Sequence, residues 1–210
     1  MKIEERIKDS QNQFNGVGVI LIDAQESLLS GIVKKDDLID ALLLLIQSIK
    51  ILKLPLIVTE QVPDKLGGTA EIISAHLINN KPISKSAFSI FGSVEFTTHL
   101  KELNINHLIL TGIETSICIY LSAIDALKAG YEVTILSDCI GARRTNDERV
   151  VLTKLESSGC HVIPLESFLY GYLGTAEHPD FKRMWEDKLH ELMKLQSKYL
   201  TRNLNSVIIE

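Results

Sequence analysis

The feature that most constrains this chain of 210 residues is an alternation of short apolar segments with longer amphipathic ones. The clearest apolar segment, Val17–Ile22, reads VGVILI, and its unbroken run of apolar residues predicts a strand that is buried on both faces. Five more strands are predicted at residues 55–59, 82–84, 107–110, 132–136 and 161–163. Strands that alternate with helices in this way predict an α/β fold with three αβα layers, built on a six-stranded, mostly parallel, Rossmann-like sheet.

Helical patterns fill the intervals between the predicted strands. They cover residues 38–52, 70–77, 94–103, 115–129, 145–158 and 179–200. The predicted N-terminal caps are Asp36, Ser93, Thr115 and, in a T-x-x-E capping box with Glu148, Thr145. Gly130 is predicted to end the fourth of these helices. Because no repeat, low-complexity tract or linker interrupts the pattern, we expect a single domain over residues 1–210, with a core at about 17–182 and a C-terminal helix and tail at 179–210.

The composition indicates which kinds of molecule this protein binds. Hydrophobic residues make up 45% of the chain, which is enough for a full core, and the formal net charge of -5 argues against a nucleic-acid-binding protein. The apolar run at residues 41–46 is too short to cross a bilayer, and residues 1–15 lack the apolar centre of a secretory peptide. Three scattered cysteines suit a reducing compartment. We therefore expect a cytoplasmic protein that acts on a small molecule, with no membrane or nucleic-acid partner.

Four reactive side chains fall near the ends of predicted strands, namely Asp23, Lys85, Cys118 and Asp138. Ligands of open α/β sheets bind at the carboxyl ends of the strands, so we expect these side chains to converge on one rim. Cys118 lies three residues after Thr115, in the first turn of a predicted helix, where the helix dipole favours a thiolate. Taken singly, each residue also fits a structural role: an inert buried cysteine, an aspartate that caps a loop or an exposed lysine.

Three motifs in chain order resemble those of the isochorismatase-like hydrolases, the superfamily that includes the nicotinamidases. They are LIDAQ at residues 21–25, SKSAFSIF at 84–91 and LTGIETSICI at 110–119. The segment SAIDALKAGYEVTILSDCIGAR at 122–143 is similar to the helix, strand and loop that follow in that family. The resemblance covers residues 17–182, and TEQVPDKLGGT at 59–69 with GIET at 112–115 brings it closest to the isochorismatase-domain-containing subgroup.

The resemblance implies a catalytic triad of Asp23, Lys85 and Cys118. It also implies a cis peptide bond between Ile113 and Glu114, with the backbone N–H groups of Glu114 and Cys118 forming an oxyanion hole. The implied reaction is hydrolysis of a small amide-like C–N bond through a cysteine thioester, with Asp23 as the general base. Three alternatives remain open: a vinyl-ether hydrolase of the isochorismatase type, a thiol-redox protein, and an interaction protein that retains the fold.

Further residues are candidates for the substrate pocket. Phe88 and Phe91 are predicted to wall it or to pack in the core, and Gln25 and Glu60 to contact the substrate or to support the triad. Ser116 stands where many members of the family carry Asp or His, which predicts an effect on specificity or helix capping. Of the other two cysteines, Cys139 is expected in a loop and could be exposed, and Cys160 is expected to start a strand with no catalytic partner.

Neither a metal ion nor another cofactor is expected. Nicotinamidases of the superfamily bind a divalent ion through an Asp-x-His…His cluster, but the corresponding residues 55–66 contain no histidine. A homo-oligomer is expected, because members of the family commonly associate and because the C-terminal region carries apolar residues at helical spacing. These residues are Phe181, Met184, Trp185, Leu189, Leu192 and Tyr199, followed by the apolar residues 207–209.

Overall fold

The structure is a computed structural model that describes residues 14–77 and 80–186, with the backbone alone for residues 185 and 186. Six parallel strands form one sheet in the order β3-β2-β1-β4-β5-β6. The strands are β1 Val17–Ile22, β2 Leu56–Gln61, β3 Ile83–Lys85, β4 His107–Ile113, β5 Glu132–Gly141 and β6 His161–Ile163. The predicted fold class is confirmed, and the sheet is parallel throughout.

Helices cover both faces of the sheet. They are α1 Glu26–Leu29, α2 Lys35–Leu52, α3 Pro63–Leu66, α4 Glu71–Ser74, α5 Val94–Glu102, α6 Tyr120–Lys128, α7 Thr145–Ser157, α8 Leu165–Leu173 and α9 Pro179–Glu186, with a 3₁₀ turn at Ile90–Gly92 and a π-helical turn at Thr115–Ile119. Two apolar clusters separate these layers from the sheet. One is packed under α2, α4, α8 and α9, and the other under α5, α6 and α7.

Strand β1 lies at the centre of the sheet and shows why its sequence has no polar side. Val19 and Leu21 enter the cluster under α2, whereas Ile20 and Ile22 enter the cluster on the opposite face. All four side chains are almost completely buried. Burial of each such side chain stabilises the fold by roughly 1.5–3 kcal/mol, and the strand delivers the next residue, Asp23, to the carboxyl edge of the sheet.

Gly112 allows strands β1 and β4 to approach closely at that edge. Its φ of +99° lies in the region that favours glycine, and it pairs with Ile22 in the parallel register. A Cβ atom at this position would lie 2.1 Å from the carbonyl oxygen of Ile22. No side chain fits there, so glycine permits the close placement of Asp23 and the residues that follow β4.

The structure corrects several predicted boundaries. Strand β5 runs to Gly141, so that Asp138 and Cys139 lie within the strand and not in the loop after it. Lys85 is the last residue of β3. The helix predicted over 70–77 is the single turn α4, and the helix predicted over 115–129 begins as the π-helical turn before it continues as α6.

Two of the predicted helix signals are confirmed and three are wrong. Ser93 accepts a hydrogen bond from the Phe96 N–H, and Gly130 adopts a φ of +85° after α6. Helix α2 begins one residue after Lys34, which adopts a left-handed conformation, and Asp36 therefore lies inside the first turn. For α7 and the π-helical turn, the N-cap positions are Arg144 and Glu114, one residue earlier than predicted, and neither side chain makes a capping hydrogen bond. Thr145 and Thr115 are consequently the first helical residues.

The described part of the C-terminal helix packs against helix α2 of the same chain. Met184 is buried in the cluster under α2, and Phe181 packs against that cluster. Residues 187–210, which include Leu189, Leu192, Tyr199 and the apolar residues 207–209, lie outside the described residues, so the single-domain extent of 1–210 stays a prediction. In the part of the chain that is described, no helix has both the length and the apolar character needed to span a membrane.

Candidate active site

The structure brings Asp23, Lys85 and Cys118 together at the carboxyl edge of the sheet. Asp23 follows β1 with a φ of +51°, Lys85 ends β3, and Cys118 lies in the π-helical turn after β4. The Lys85 Nζ lies 2.6 Å from Asp23 Oδ2 and 3.8 Å from Cys118 Sγ. Three strands thus supply a carboxylate, an ammonium group and a thiol to one buried cluster.

The Asp23 carboxylate is held from two sides although none of its surface is exposed. Thr59 donates its hydroxyl hydrogen to Oδ1 at 2.8 Å, and Lys85 donates to Oδ2. The Asp23 N–H donates to the Thr59 carbonyl oxygen at 3.0 Å. A buried carboxylate needs such partners, because removing its charge from water without them is very costly.

The Lys85 ammonium group is surrounded by oxygen atoms. It donates to Gln61 Oε1 at 2.6 Å and lies 3.2 Å and 3.3 Å from the carbonyl oxygens of Ala87 and Phe88. Together with Asp23, these acceptors replace the water that the charge loses on burial. The ammonium group therefore stays next to the thiol as a fixed positive charge.

Cys118 is a protonated thiol in this environment. Burial, followed by the negative charge of Asp23, raises its pKa from the ordinary 9.0 to about 12. Lys85 and a hydrogen bond from the backbone of Glu114 act in the opposite direction and are outweighed. The expectation that the helix dipole would favour a thiolate is therefore wrong for the resting site, since burial in a low-dielectric environment favours the neutral form.

The backbone around Cys118 turns tightly. The peptide bond between Ile113 and Glu114 is cis, as the resemblance implied. The Glu114 carbonyl oxygen accepts hydrogen bonds from the N–H groups of Ile117 and Ile119, at 3.0 Å and 3.2 Å. The second of these bonds spans five residues and gives the turn its π-helical form. This turn sets Cys118 on the wall of a cavity.

That cavity has a volume of about 340 Å³ and is the candidate substrate pocket. Apolar side chains and a few polar groups line it: Ser27, Leu28, Ser30, Gly31, Ile32, Gln61, Leu66, Phe88, Ile113, Glu114, Ile117, Cys118 and Arg143. Phe88 is the predicted wall residue that the structure places here, with 57% of its surface exposed. A pocket of this size and character suits a small organic molecule.

The other three predicted pocket residues lie elsewhere. Phe91 packs edge-on against the rings of Phe96 and Tyr131, at centroid distances of 5.9 Å and 5.6 Å, which is the core-packing alternative. Glu60 accepts hydrogen bonds from the backbone N–H and the hydroxyl of Thr69. Gln25 is fully buried and bonds to the backbone of Gln61 and of Gly67, so it holds neighbouring segments together.

Glu114 and Arg143 line the cavity wall and form a polar group with Ser116 behind them. Glu114 Oε2 accepts from Arg143 Nε at 2.7 Å, and its Oε1 accepts from the Ser116 hydroxyl at 2.9 Å. Ser116 therefore contacts a side chain at the start of the π-helical turn and makes no bond to the helix backbone that would cap it. Sequence reasoning did not single out Arg143, whose guanidinium group is largely exposed.

Thr59 and Gln61 are members of the cluster that sequence reasoning missed. Side chains of a strand alternate between the two faces of the sheet, so Thr59 and Gln61 share a face while Glu60 points to the other. Thr59 contacts Asp23, and Gln61 contacts Lys85. This alternation within the TEQ segment is the signal that would have favoured Gln61 over Glu60.

Asp138 and the remaining cysteines lie away from the triad. Asp138 Oδ1 accepts from the Leu165 N–H at 2.8 Å and so fixes the start of α8, which corrects the expectation that it would join the site. Cys139 is completely buried, contrary to its expected exposure, because β5 continues through it. Burial also raises the pKa of Cys160, to about 11. Among the described residues no group of three or more His, Cys, Asp and Glu side chains is arranged to hold a metal ion.

Fold and site together define a three-layer α/β protein with a buried aspartate, lysine and cysteine cluster at the wall of a small cavity. A family model described as the isochorismatase domain matches residues 17–167. The chain therefore belongs to the isochorismatase family, and this membership supports hydrolase chemistry.

Individual relatives agree with the family. Isochorismatase domain-containing protein 2 of Xenopus laevis is 32% identical over 167 residues, which are 79% of this chain and 80% of the relative. The structure of the MAR1 ribonuclease from Caenorhabditis elegans is 30% identical, with a TM-score of 0.75 over 80% of this chain and 87% of that chain. The YcaC gene product of Escherichia coli, described as an octameric hydrolase of unknown specificity, shares the fold at 19% identity, with a TM-score of 0.78 over 89% and 95% of the two chains.

Proposed function

We propose that this protein hydrolyses a small amide-like C–N bond through a thioester on Cys118. The observation that carries the proposal is the buried cluster in which the Lys85 ammonium group lies 2.6 Å from Asp23 and 3.8 Å from the sulfur of Cys118. The thiol of this cluster lines a cavity of about 340 Å³, so a substrate of a few atoms can reach it. A base, a nucleophile and a fixed cation within bonding range are the parts that covalent catalysis needs.

Acylation begins with transfer of the thiol proton from Cys118 to the Asp23 carboxylate. The thiolate attacks the carbonyl carbon, and the resulting oxyanion is stabilised by the backbone N–H groups of Glu114 and Cys118. Each such donor contributes about 3 kcal/mol of transition-state stabilisation. Asp23 then gives its proton to the leaving nitrogen, the C–N bond breaks, and the thioester remains.

Deacylation uses the same residues in the reverse order. Asp23 takes a proton from water, and the hydroxide attacks the thioester carbonyl. The C–S bond breaks to release the carboxylic acid, and Asp23 returns its proton to the Cys118 sulfur. Four oxygen acceptors hold the Lys85 ammonium group in place, where it offsets the negative charge that appears on sulfur. Because burial raises the pKa of the thiol to about 12, the proposal gives Asp23 the part of the base that accepts the thiol proton as the sulfur attacks.

A panel of small primary amides, assayed for released ammonia, tests this proposal. We expect at least one substrate whose turnover needs Cys118 and Asp23 and survives chelation of divalent metals. A vinyl-ether substrate cleaved equally well by the Cys118→Ala variant would favour the isochorismatase-type alternative. Loss of activity on chelation with recovery on adding zinc or iron would contradict the expected independence from metal.

A ribonuclease is a second candidate, because the C. elegans structure with 30% identity carries that name. Two observations favour a small substrate instead: the thiol lies on a cavity of about 340 Å³, and the chain has a net charge of -5, whereas nucleic-acid-binding surfaces are commonly basic. Incubation with single-stranded RNA of mixed sequence decides between them. Cleavage that is lost in the Cys118→Ala variant would establish the ribonuclease candidate.

We also propose a cytoplasmic location and a homo-oligomeric state. The three cysteines are free and buried, which suits a reducing compartment. For the oligomer, the octameric YcaC protein shares the fold, and apolar residues continue toward the C-terminus at 207–209. Light scattering at micromolar concentration tests the second point, and a monomeric mass would contradict it.

A further inference from the structure

We propose that Gln61 is a positioning residue for Lys85, whose neutral amide oxygen fixes the ammonium group beside Cys118 and so sets the reactivity of that thiol. The inference rests on the proposed function, because it assigns Gln61 a part in forming the nucleophile. Gln61 is a buried residue of strand β2, yet it reaches the wall of the cavity.

The contacts of Lys85 carry the first step. Its ammonium group has three hydrogens, and only two of its acceptors lie as close as 2.6 Å: the carboxylate of Asp23 and the amide oxygen of Gln61. The next acceptors are the carbonyl oxygens of Ala87 and Phe88 beyond 3 Å. Asp23 and Gln61 therefore hold the nitrogen between them, and Gln61 does so without adding a second negative charge that would compete with Asp23.

The orientation of the Gln61 amide is fixed by its other contact. Its Nε2 donates to the carbonyl oxygen of Ser86 at 2.8 Å, and a carbonyl oxygen can only accept. The Oε1 atom must therefore face Lys85, whose ammonium group can only donate. One side chain thus bonds both to Lys85, the last residue of β3, and to Ser86, the residue that follows it.

The backbone of Gln61 is held as firmly as its side chain. The Gln25 side chain accepts from the Gln61 N–H at 2.7 Å and donates to the Gln61 carbonyl oxygen at 3.1 Å, as a neighbouring strand would. This pair of bonds explains the fully buried Gln25. It supports the position from which Gln61 reaches Lys85.

Placement of the ammonium group matters because its interaction with the thiol is electrostatic at 3.8 Å. The positive charge of Lys85 lowers the pKa of Cys118 against burial and the charge of Asp23. Without the Gln61 oxygen, the ammonium group is drawn toward Asp23 and the backbone carbonyl oxygens. The thiol then loses part of the charge that favours its ionised form.

Alkylation of Cys118 by iodoacetamide, followed by mass spectrometry of its peptide, tests the inference without a substrate. We expect Gln61→Met to slow alkylation about tenfold, the effect of losing one hydrogen bond to a charged group. Combined with Lys85→Met, the same change should have almost no further effect, since a residue that acts through Lys85 has nothing to position once Lys85 is gone.

Two further variants separate positioning from support of the fold. Gln61→Glu keeps an oxygen toward Lys85 but adds a second negative charge that competes with Asp23 and loses the amide that binds Ser86, so it should not restore the wild-type rate of alkylation. Gln61→Asn keeps a polar side chain, but the shorter side chain moves the oxygen away from Lys85. If Gln61→Met does not fold, Gln61→Asn takes its place in the comparison of alkylation rates. Unchanged alkylation in both Met and Asn variants, or equal slowing with and without Lys85, overturns the inference. If alkylation behaves as expected and no amide is hydrolysed, the proposed function fails and the positioning role stands.

Discussion

Cys118 and Cys139 are both buried, free cysteines beside an aspartate near the carboxyl end of the sheet, yet their surroundings differ. Cys118 has the Lys85 ammonium group at 3.8 Å and forms part of a cavity wall. Cys139 has no exposed surface, its sulfur faces the Ala41 carbonyl oxygen, and its neighbour Asp138 is bonded to the start of α8. A cysteine and an aspartate thus form a candidate nucleophile and base only where a cation and an open space accompany them.

The two aspartates differ in the same way. Asp23 is completely buried and depends on Thr59 and Lys85, whereas Asp138 is exposed to solvent and bonds a backbone N–H group. A carboxylate is buried at this cost only where partners compensate its charge. Burial beside a cation therefore makes Asp23 the candidate base, whereas Asp138 is an exposed carboxylate that accepts from the Leu165 N–H at the start of α8.

The largest effect is expected from exchanging the two cysteines for alanine. Cys118→Ala should reduce hydrolysis of the identified amide at least about a thousandfold, because the covalent intermediate cannot form. Cys139→Ala leaves a small cavity in the core and should lower stability by about 1–2 kcal/mol while turnover persists. Steady-state rates and urea unfolding of both variants check this. Wild-type turnover in Cys118→Ala would exclude the thioester mechanism.

Removing each carboxylate charge in turn should affect activity and stability differently at Asp23 and at Asp138. Asp23→Asn takes away the base and leaves the Lys85 charge buried without its counter-ion, so we expect a loss of activity of about a hundredfold to a thousandfold, together with lower stability. Asp138→Asn keeps an oxygen that can accept from the Leu165 N–H and should remain active. Activity and unfolding are measured on both variants, and equal losses would show that proximity to a cysteine matters more than burial.

The sequence predicted the sheet and the triad, because both depend on local patterns. Apolar runs such as Val17–Ile22 specify buried parallel strands, and the LIDAQ, SKSAFSIF and LTGIETSICI motifs carried the resemblance that placed Asp23, Lys85 and Cys118 at strand ends. The structure brings these three residues together. Their catalytic roles stay a prediction.

What the sequence did not predict depends on contacts between distant segments. The raised pKa of Cys118 follows from burial and from Asp23, which is 95 positions away in the chain, and no local pattern encodes either. Glu60 and Gln61 are adjacent polar residues, and only the direction of each side chain in β2 decides that one binds Thr69 and the other binds Lys85. The continuation of β5 through Cys139 is likewise set by pairing with β4, which extends to Gly141.

A substitution at Gly112 tests the backbone of β4, the strand that leads to the turn holding Cys118. A methyl group there would lie 2.1 Å from the Ile22 carbonyl oxygen, at a φ of +99°, so Gly112→Ala should lower the free energy of unfolding by about 3 kcal/mol. Gly130→Ala is the matched control, since Gly130 also has a positive φ but open space around it, and it should cost about 1 kcal/mol. Urea unfolding compares the two. Similar losses would mean that the conformation of the glycine, and not its contact with β1, sets the cost.

The smallest expected effect concerns the loss of stability at alkaline pH. Burial raises the pKa of Cys118 to about 12 in the folded protein, against about 9.0 for an ordinary thiol. Between these values the unfolded chain has lost the proton that the folded protein still holds, so the free energy of unfolding falls as pH rises, by at most about 1.4 kcal/mol per pH unit for this thiol. Below pH 9 both states keep the proton, and the full contribution of the Cys118 thiol to the free energy of unfolding is present.

Cys118→Ala should therefore show a shallower decline of the free energy of unfolding than wild type when urea unfolding is measured at pH 8, 9 and 10. The pKa of Cys139 is raised as well, by complete burial and by Asp138, so Cys139→Ala should flatten the curve in the same direction. Parallel curves for wild type and Cys118→Ala would mean that the thiol pKa lies near its ordinary value, and Lys85 would then offset burial and the charge of Asp23 together.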